Sequence, residues 1–207
     1  MALKTNSTLQ SISLRKNDLR AAGAEHLCAC LRENGALTSL DLGSNAIGPE
    51  GMAHISQAML TNTTLKELLL DDNLLEPTGA QHVAAMLEAN ASLTSISLMS
   101  NDLGDAGAQL VAAALKANRC LAQLSLAKNG VGLEGAKRLA EALGENATLA
   151  SLDLAFNDVG SEGATLIFEP IKARGVAASL YLRENRLDRA TKAQLKEDAG
   201  SQIKLFL

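Results

Sequence analysis

The chain has 207 residues, a formal net charge of −4, 47% hydrophobic and 20% charged residues, and only 2% aromatics. That apolar fraction supports a continuous core and excludes wholesale disorder. Mild acidity without a Lys/Arg block argues against a nucleic-acid or anionic-membrane surface, since both need clustered positive charge. No apolar run approaches the ~18–20 residues that span a bilayer, and the opening residues lack the apolar centre of a signal peptide. The cysteines Cys28, Cys30 and Cys120 are an odd, irregular set, so free thiols in a reducing, cytoplasmic compartment are expected rather than a disulfide framework.

In chain order, the first predicted strand centres on Ile12 and Leu14; then come Asn17, Leu19 and a helix from about Gly23. The same succession returns every 28 residues, carrying Asn17 onto Asn45, Asn73, Asn101, Asn129, Asn157 and Asn185. An apolar column opens each unit at Leu9, Leu37, Leu65, Leu93, Leu121 and Leu149, and degrades at Ala177. The two inner columns run from Ile12 and Leu14 to Leu180 and Leu182, alternating by two as a strand with one buried face does. After each Gly (Gly23, Gly51, Gly79, Gly107, Gly135, Gly163) apolar residues recur at helical spacing, as in Ala136, Leu139, Ala140 and Leu143. Pro49 and Pro77 fall in the first helical turn, where a proline costs no hydrogen bond. A second Asn column, Asn6, Asn34, Asn62, Asn90, Asn118 and Asn146, marks the helix ends and suggests left-handed caps.

One such unit cannot bury its own apolar face, so neighbours must stack. Parallel strands at ~4.8 Å and helices at ~8–10 Å then force an arc with its strands inside. The Gly-Ala columns are expected to let each helix approach the sheet, and the Asn17 column to satisfy backbone groups in the turn after each strand.

The L-x-x-L-x-L-x-x-N-x-L pattern followed by a Gly-Ala helix resembles the leucine-rich repeat family, in its ribonuclease-inhibitor-like class of 28 residues. Stretches such as Leu37-Thr-Ser-Leu-Asp-Leu-Gly-Ser-Asn45 are most similar to the arrays of NOD-like receptors. The resemblance implies an α/β right-handed solenoid, a horseshoe arc with parallel strands on the concave face and helices on the convex face. It also implies protein partners. The whole chain reads as one such domain: residues 1–8 as the tail of a preceding repeat, 9–188 as about seven repeats, and 189–207 as a C-terminal helix and closing strand. With no polar cap before its first strand, the chain reads as a piece of a longer array or as one that self-associates through that strand. Phe168, Pro170 and Gly175 are expected to disturb the last regular helix, a proline there ending or kinking it.

Chemistry-bearing constellations are sparse. His26, His54 and His82 share one helical register, but helices ~8–10 Å apart cannot bring them to one ion with ~2.1 Å bonds; a half-buried helix flank accounts for them. Cys28 occupies a small core slot and Cys120 a Thr/Ser position, and neither has a His partner for nucleophilic work. Sequons at Asn6, Asn62, Asn90 and Asn146 coincide with the second Asn column, which explains them without glycosylation. The glycines form no phosphate-binding loop. No catalytic residue, metal or cofactor is expected.

The concave lining is the remaining candidate. Asp41, Glu67, Asp71 and Asp72 make an acidic patch; Leu69 and Met99 are apolar where water is expected; Phe156, Tyr181 and Arg183 group towards the C-terminal end. Aromatics and Arg are common interface anchors. The expected function is therefore a non-catalytic protein-binding module, the sensor or regulatory part of a larger cytosolic protein. Ran GTPase-activating proteins resemble the same repeat class and give an alternative, although their irregular repeats and acidic tail are absent here; a structural or designed array without a natural ligand is a third.

Overall fold

The computed structural model describes residues 2–175 and 178–207; Ala177, where the outer leucine column degrades, lies outside them. A short helix α1 (Ala2–Thr5) precedes alternating strands and helices: β1 Ser11–Ser13, α2 Arg20–Leu31, β2 Ser39–Asp41, α3 Gly48–Met59, β3 Glu67–Leu69 and α4 Glu76–Ala89. Then follow β4 Ser95–Ser97, α5 Gly104–Ala117, β5 Gln123–Ser125, α6 Leu133–Glu145, β6 Ser151–Asp153, α7 Gly160–Ala173, β7 Ala178–Tyr181, α8 Arg189–Ala199 and β8 Ile203–Phe206. The strands pair in parallel and in chain order as one eight-stranded sheet. The result is an α/β right-handed solenoid with the sheet on its concave side. Ile12 pairs with Leu40 and Leu152 with Leu180, 28 residues apart, whereas Tyr181 pairs with Phe206 across a closing turn that shortens the offset to 25.

Strands β2 to β6 bury their central residues Leu40, Leu68, Ile96, Leu124 and Leu152 in the same core as helix residues Ile55, Val83, Val111 and Leu139, whereas Ile12 of β1 is half-buried. That apolar core is continuous. Two amide ladders tie the repeats together. In the inner one, Asn101 Nδ2 donates to the Leu70 and Leu98 carbonyls, both at 2.9 Å, while its Oδ1 accepts from the Asn73 N–H at 3.0 Å. In the outer one, Asn90 Nδ2 donates to the Met59 carbonyl at 2.7 Å, and Oδ1 accepts from the Ser92 and Leu93 N–H groups at 2.9 and 2.8 Å.

The outer ladder corrects the expectation of left-handed caps. Asn90 sits at φ −81°, ψ 127°, and Asn118 and Asn146 are likewise extended. Their carboxamides turn the chain by accepting two N–H groups ahead and holding the preceding helix's last turn behind, so side-chain chemistry decides the choice. The seventh position of that column is Arg174, whose Nη1 reaches the Asn146 and Leu149 carbonyls at 3.1 and 2.9 Å. Burial lowers its pKa, and its Nε is buried without a partner among the described residues.

Two further expectations change. The Gly column brings helix to helix rather than helix to sheet: a Cβ at Gly107 would lie 2.7 Å from Leu103 Cβ and 3.2 Å from Ala80 Cβ on the neighbouring helix. Pro170 does not end its helix, because α7 runs on to Ala173 with Phe168 fully buried. The carbonyl Pro170 leaves without a helical donor belongs to Leu166, an exposed residue of α7.

Candidate functional site

Alternation places the residues flanking each buried strand centre on the concave face. One register row runs Ser13, Asp41, Leu69, Ser97, Ser125, Asp153, Tyr181 and Phe206. Leu69 is half-buried, and Met99, two residues beyond Ser97, is 39% exposed.

The acidic residues do not form a bare patch. Arg15, which sequence reasoning left unassigned, bridges two of them: Nε donates to Asp41 Oδ2 at 3.1 Å and Nη2 to Asp71 Oδ2 at 2.7 Å. Asp71 also accepts from the Ser97 hydroxyl, and Asp41 from Ser13 Oγ and the Gly43 N–H, each at 2.9 Å. Burial pushes the Asp41 carboxyl up, but the Gly43 N–H, the Ser13 hydroxyl and Arg15 together hold it below its ordinary 3.8. Glu67 accepts from Ser39 Oγ at 2.6 Å and Asp72 from Ser44 Oγ at 3.0 Å. Arg15 offsets one of these four negative charges, while the neutral hydroxyls fix Glu67 and Asp72 in place and leave their charge.

At the other end the expected trio separates. Tyr181 stacks on Phe206 with ring centroids 4.2 Å apart and planes 2° from parallel, and the Arg183 guanidinium lies over the Phe206 ring at 5.7 Å. Phe156 belongs to the rim. It is 60% exposed, sits in the left-handed region at φ 58°, and lines a 430 Å³ cleft with Glu184, Arg186 and Lys192. Only its backbone joins the group, its N–H bonding the Arg183 carbonyl at 2.8 Å. Phe206 was missed because the shortened closing turn carries it into the Tyr181 row from outside the 28-residue count.

The other candidates stay apart. His26 is exposed while His54 and His82 are half-buried, and among the described residues no group of three or more His, Cys, Asp or Glu could hold a metal. Cys28 is buried, and burial pushes its thiol up to about 12, far from a thiolate nucleophile. Cys120 lies with Sγ 3.4 Å from the Asn90 carbonyl, where Ser92 Oγ meets the Asn62 carbonyl one repeat earlier. Asn62, Asn90 and Asn146 are buried in the outer ladder, which leaves no room for a glycan. No helix of the described residues is long and apolar enough to cross a membrane.

A stacked, laddered array with a polar concave face carrying half-buried aromatic and exposed cationic groups defines a solenoid repeat protein. The chain belongs to the leucine-rich repeat family: the family's Leucine Rich repeat signature matches residues 5–28, 36–56, 89–112, 117–140 and 145–168, more than half of the sequence. No curated protein matches it. Among solved structures, leiomodin-1 actin-binding site 2 (ABS2) is similar at a TM-score of 0.63 and 21% identity, covering 86% of this chain and 96% of that one. The tropomodulin C-terminal domain of Caenorhabditis elegans is similar at a TM-score of 0.64 and 15% identity, covering 73% of this chain and 93% of that one. At these identities the likeness is one of fold.

Proposed function

We propose that this chain is a non-catalytic protein-recognition module that binds a protein partner on its concave strand surface, as the sensor or regulatory part of a larger cytosolic protein. Within its family we assign it to the ribonuclease-inhibitor-like class, near the NOD-like-receptor arrays, on its 28-residue period. The observation that carries the reading is the Tyr181–Phe206 stack with Arg183 over it, at the end of a strand row whose other members are Ser, Asp and Leu69. Large rings and a guanidinium in solvent are costly to leave wet and strong when covered. Phe156 adds to this: it takes the left-handed turn position that Ser44, Asp72, Ser100, Lys128 and Glu184 hold in other repeats, but fills it with a ring that is 60% exposed. The actin-binding site in the leiomodin-1 name shows that this fold can carry a protein contact.

Photo-crosslinkers at Gln123 on the concave β5 and at Gln109 on the convex α5, both exposed, test the reading in cytosolic lysate. Protein adducts are expected from position 123 and not from 109. Adducts confined to the convex position, or none at either, would overturn it.

A further inference from the structure

The concave face is electrically asymmetric. At β2 and β3 the carboxylates are occupied by Arg15 and by hydroxyls. At β7 and β8 the exposed Arg183 and Lys204 enter no salt bridge among the described residues. The neighbouring acids Asp153 and Glu184 form no salt bridge with them among the described residues. Asp153 turns towards β5 to accept from Ser125 Oγ at 3.2 Å and the Ala155 N–H at 2.9 Å, and Glu184 lines the separate rim cleft with Arg186 and Lys192.

Their placement has a definite spacing. Lys204 is in register with Ser179, and Phe206 with Tyr181, while Arg183 follows Tyr181 by two residues on the same face. Along the strand direction the order is cation, stacked aromatic pair, cation, at two-residue steps. The two cations therefore lie about 13 Å apart, four residues at ~3.3 Å each. An extended peptide repeats its same-side chains every two residues, so its side chains at positions one, three and five span the same length.

We propose that the β7–β8 end of the concave face binds an extended protein segment of the pattern acid-x-aromatic-x-acid. Its carboxylates meet Lys204 and Arg183, and its ring packs on the Tyr181–Phe206 stack. The inference rests on the concave-face reading and names the partner's chemistry. Arg183 offers a bidentate fork to one carboxylate, already oriented by its position over Phe206. Two cations beside two rings, on a chain of net charge −4, suit a short acidic segment better than a nucleic-acid polyanion, which needs a continuous basic track.

The test is fluorescence anisotropy with a labelled heptapeptide, Ser-Glu-Ser-Phe-Ser-Glu-Ser, beside its lysine-for-glutamate counterpart, an isomer with adjacent glutamates, and an oligothymidine. The intact chain is expected to bind the first peptide best, with affinity falling as salt rises. Arg183→Glu with Lys204→Glu should weaken it by about tenfold or more and invert the preference towards the lysine peptide. Phe206→Leu should weaken it at unchanged salt dependence, and Glu88→Gln, exposed on the convex α4, should leave it unaltered. Equal binding of all peptides, stronger binding of oligothymidine, or full binding by the doubly reversed variant with an unchanged melting curve would overturn the proposal. Crosslinking from position 123 that persists in that variant would leave the concave reading standing while this one fails; its loss from the parent chain marks failure of the reading beneath.

Discussion

Asn101 is fully buried, and its carboxamide satisfies carbonyls of two successive repeats while accepting the N–H of Asn73. Asn101→Ala strands those groups in the core, which should cost about 1–3 kcal/mol. The same change at Asn17, which is exposed, should cost under about 0.5 kcal/mol. Urea titration of both variants decides the matter; equal losses would deny the ladder its role. Arg15 acts through charge instead. Asp41 has a folded pKa below its ordinary 3.8, so its contribution to stability is present above that value and lost as pH falls through the folded one. Arg15→Gln removes part of what depresses that pKa. The variant should be less stable at neutral pH and lose stability less steeply than the parent as pH falls below the ordinary 3.8. Parallel acid limbs for the two proteins would show that Arg15 does not support Asp41. The Asn17 column could be read from sequence because one residue type recurs at one period. Arg15 could not, since its second partner, Asp71, lies 56 residues away in the third repeat.

At the scale of the helix, glycine acts in opposite directions at two places. Gly107 in α5 faces Leu103 and Ala80 with no space for a methyl group, whereas a Cβ at Gly144, in α6, meets nothing within 4 Å. Gly144→Ala should therefore raise stability by about 0.5–1 kcal/mol through helix propensity and unfolded-chain entropy. Gly107→Ala should lower it by about 1–3 kcal/mol, because overlap with packed neighbours exceeds that gain. Thermal melts of the two variants should move apart, and a stabilised Gly107→Ala would mean that the helices do not need this close approach. The Gly column itself was plain in the sequence, but which surface it serves was not: spacing locates the small residue and says nothing about what lies across it. Strands and helices were readable for the complementary reason that their periods of two and 3.6 are local. The extended Asn90 cap and the continuation of α7 past Pro170 depended on which carbonyls face water or a neighbouring repeat. The 25-residue closing offset that adds Phe206 to the candidate site breaks the very period by which the other rows were found.

Over the whole molecule each repeat touches mainly its neighbours, so stability should vary along the array as a sum of local and nearest-neighbour terms. The first repeat is thinly covered: Leu9 is 38% exposed where Leu37 and Leu65 are fully buried. The other end is better tied. Asp188 caps α8 by accepting the Thr191 N–H at 2.7 Å, and joins α7 through Ser161 Oγ at 2.7 Å. Lys172 and Asp198 bridge the same two helices at 3.0 Å. Hydrogen exchange read by mass spectrometry should thus be slowest in β3–β6, fastest in β1 and intermediate in β7–β8. Asp188→Ala removes the α8 cap and one of its two polar ties to α7, so β8 exchange should accelerate several-fold towards the β1 rate while β3–β6 stay unchanged. Because Phe206 and Lys204 lie on β8, loosening that strand should also dissolve the aromatic stack that Tyr181 needs, linking the firmness of the terminal repeat to recognition. Uniform exchange across the sheet, or a β8 rate indifferent to Asp188, would mean instead that the array melts as one block and that its binding end gains nothing from the final helix.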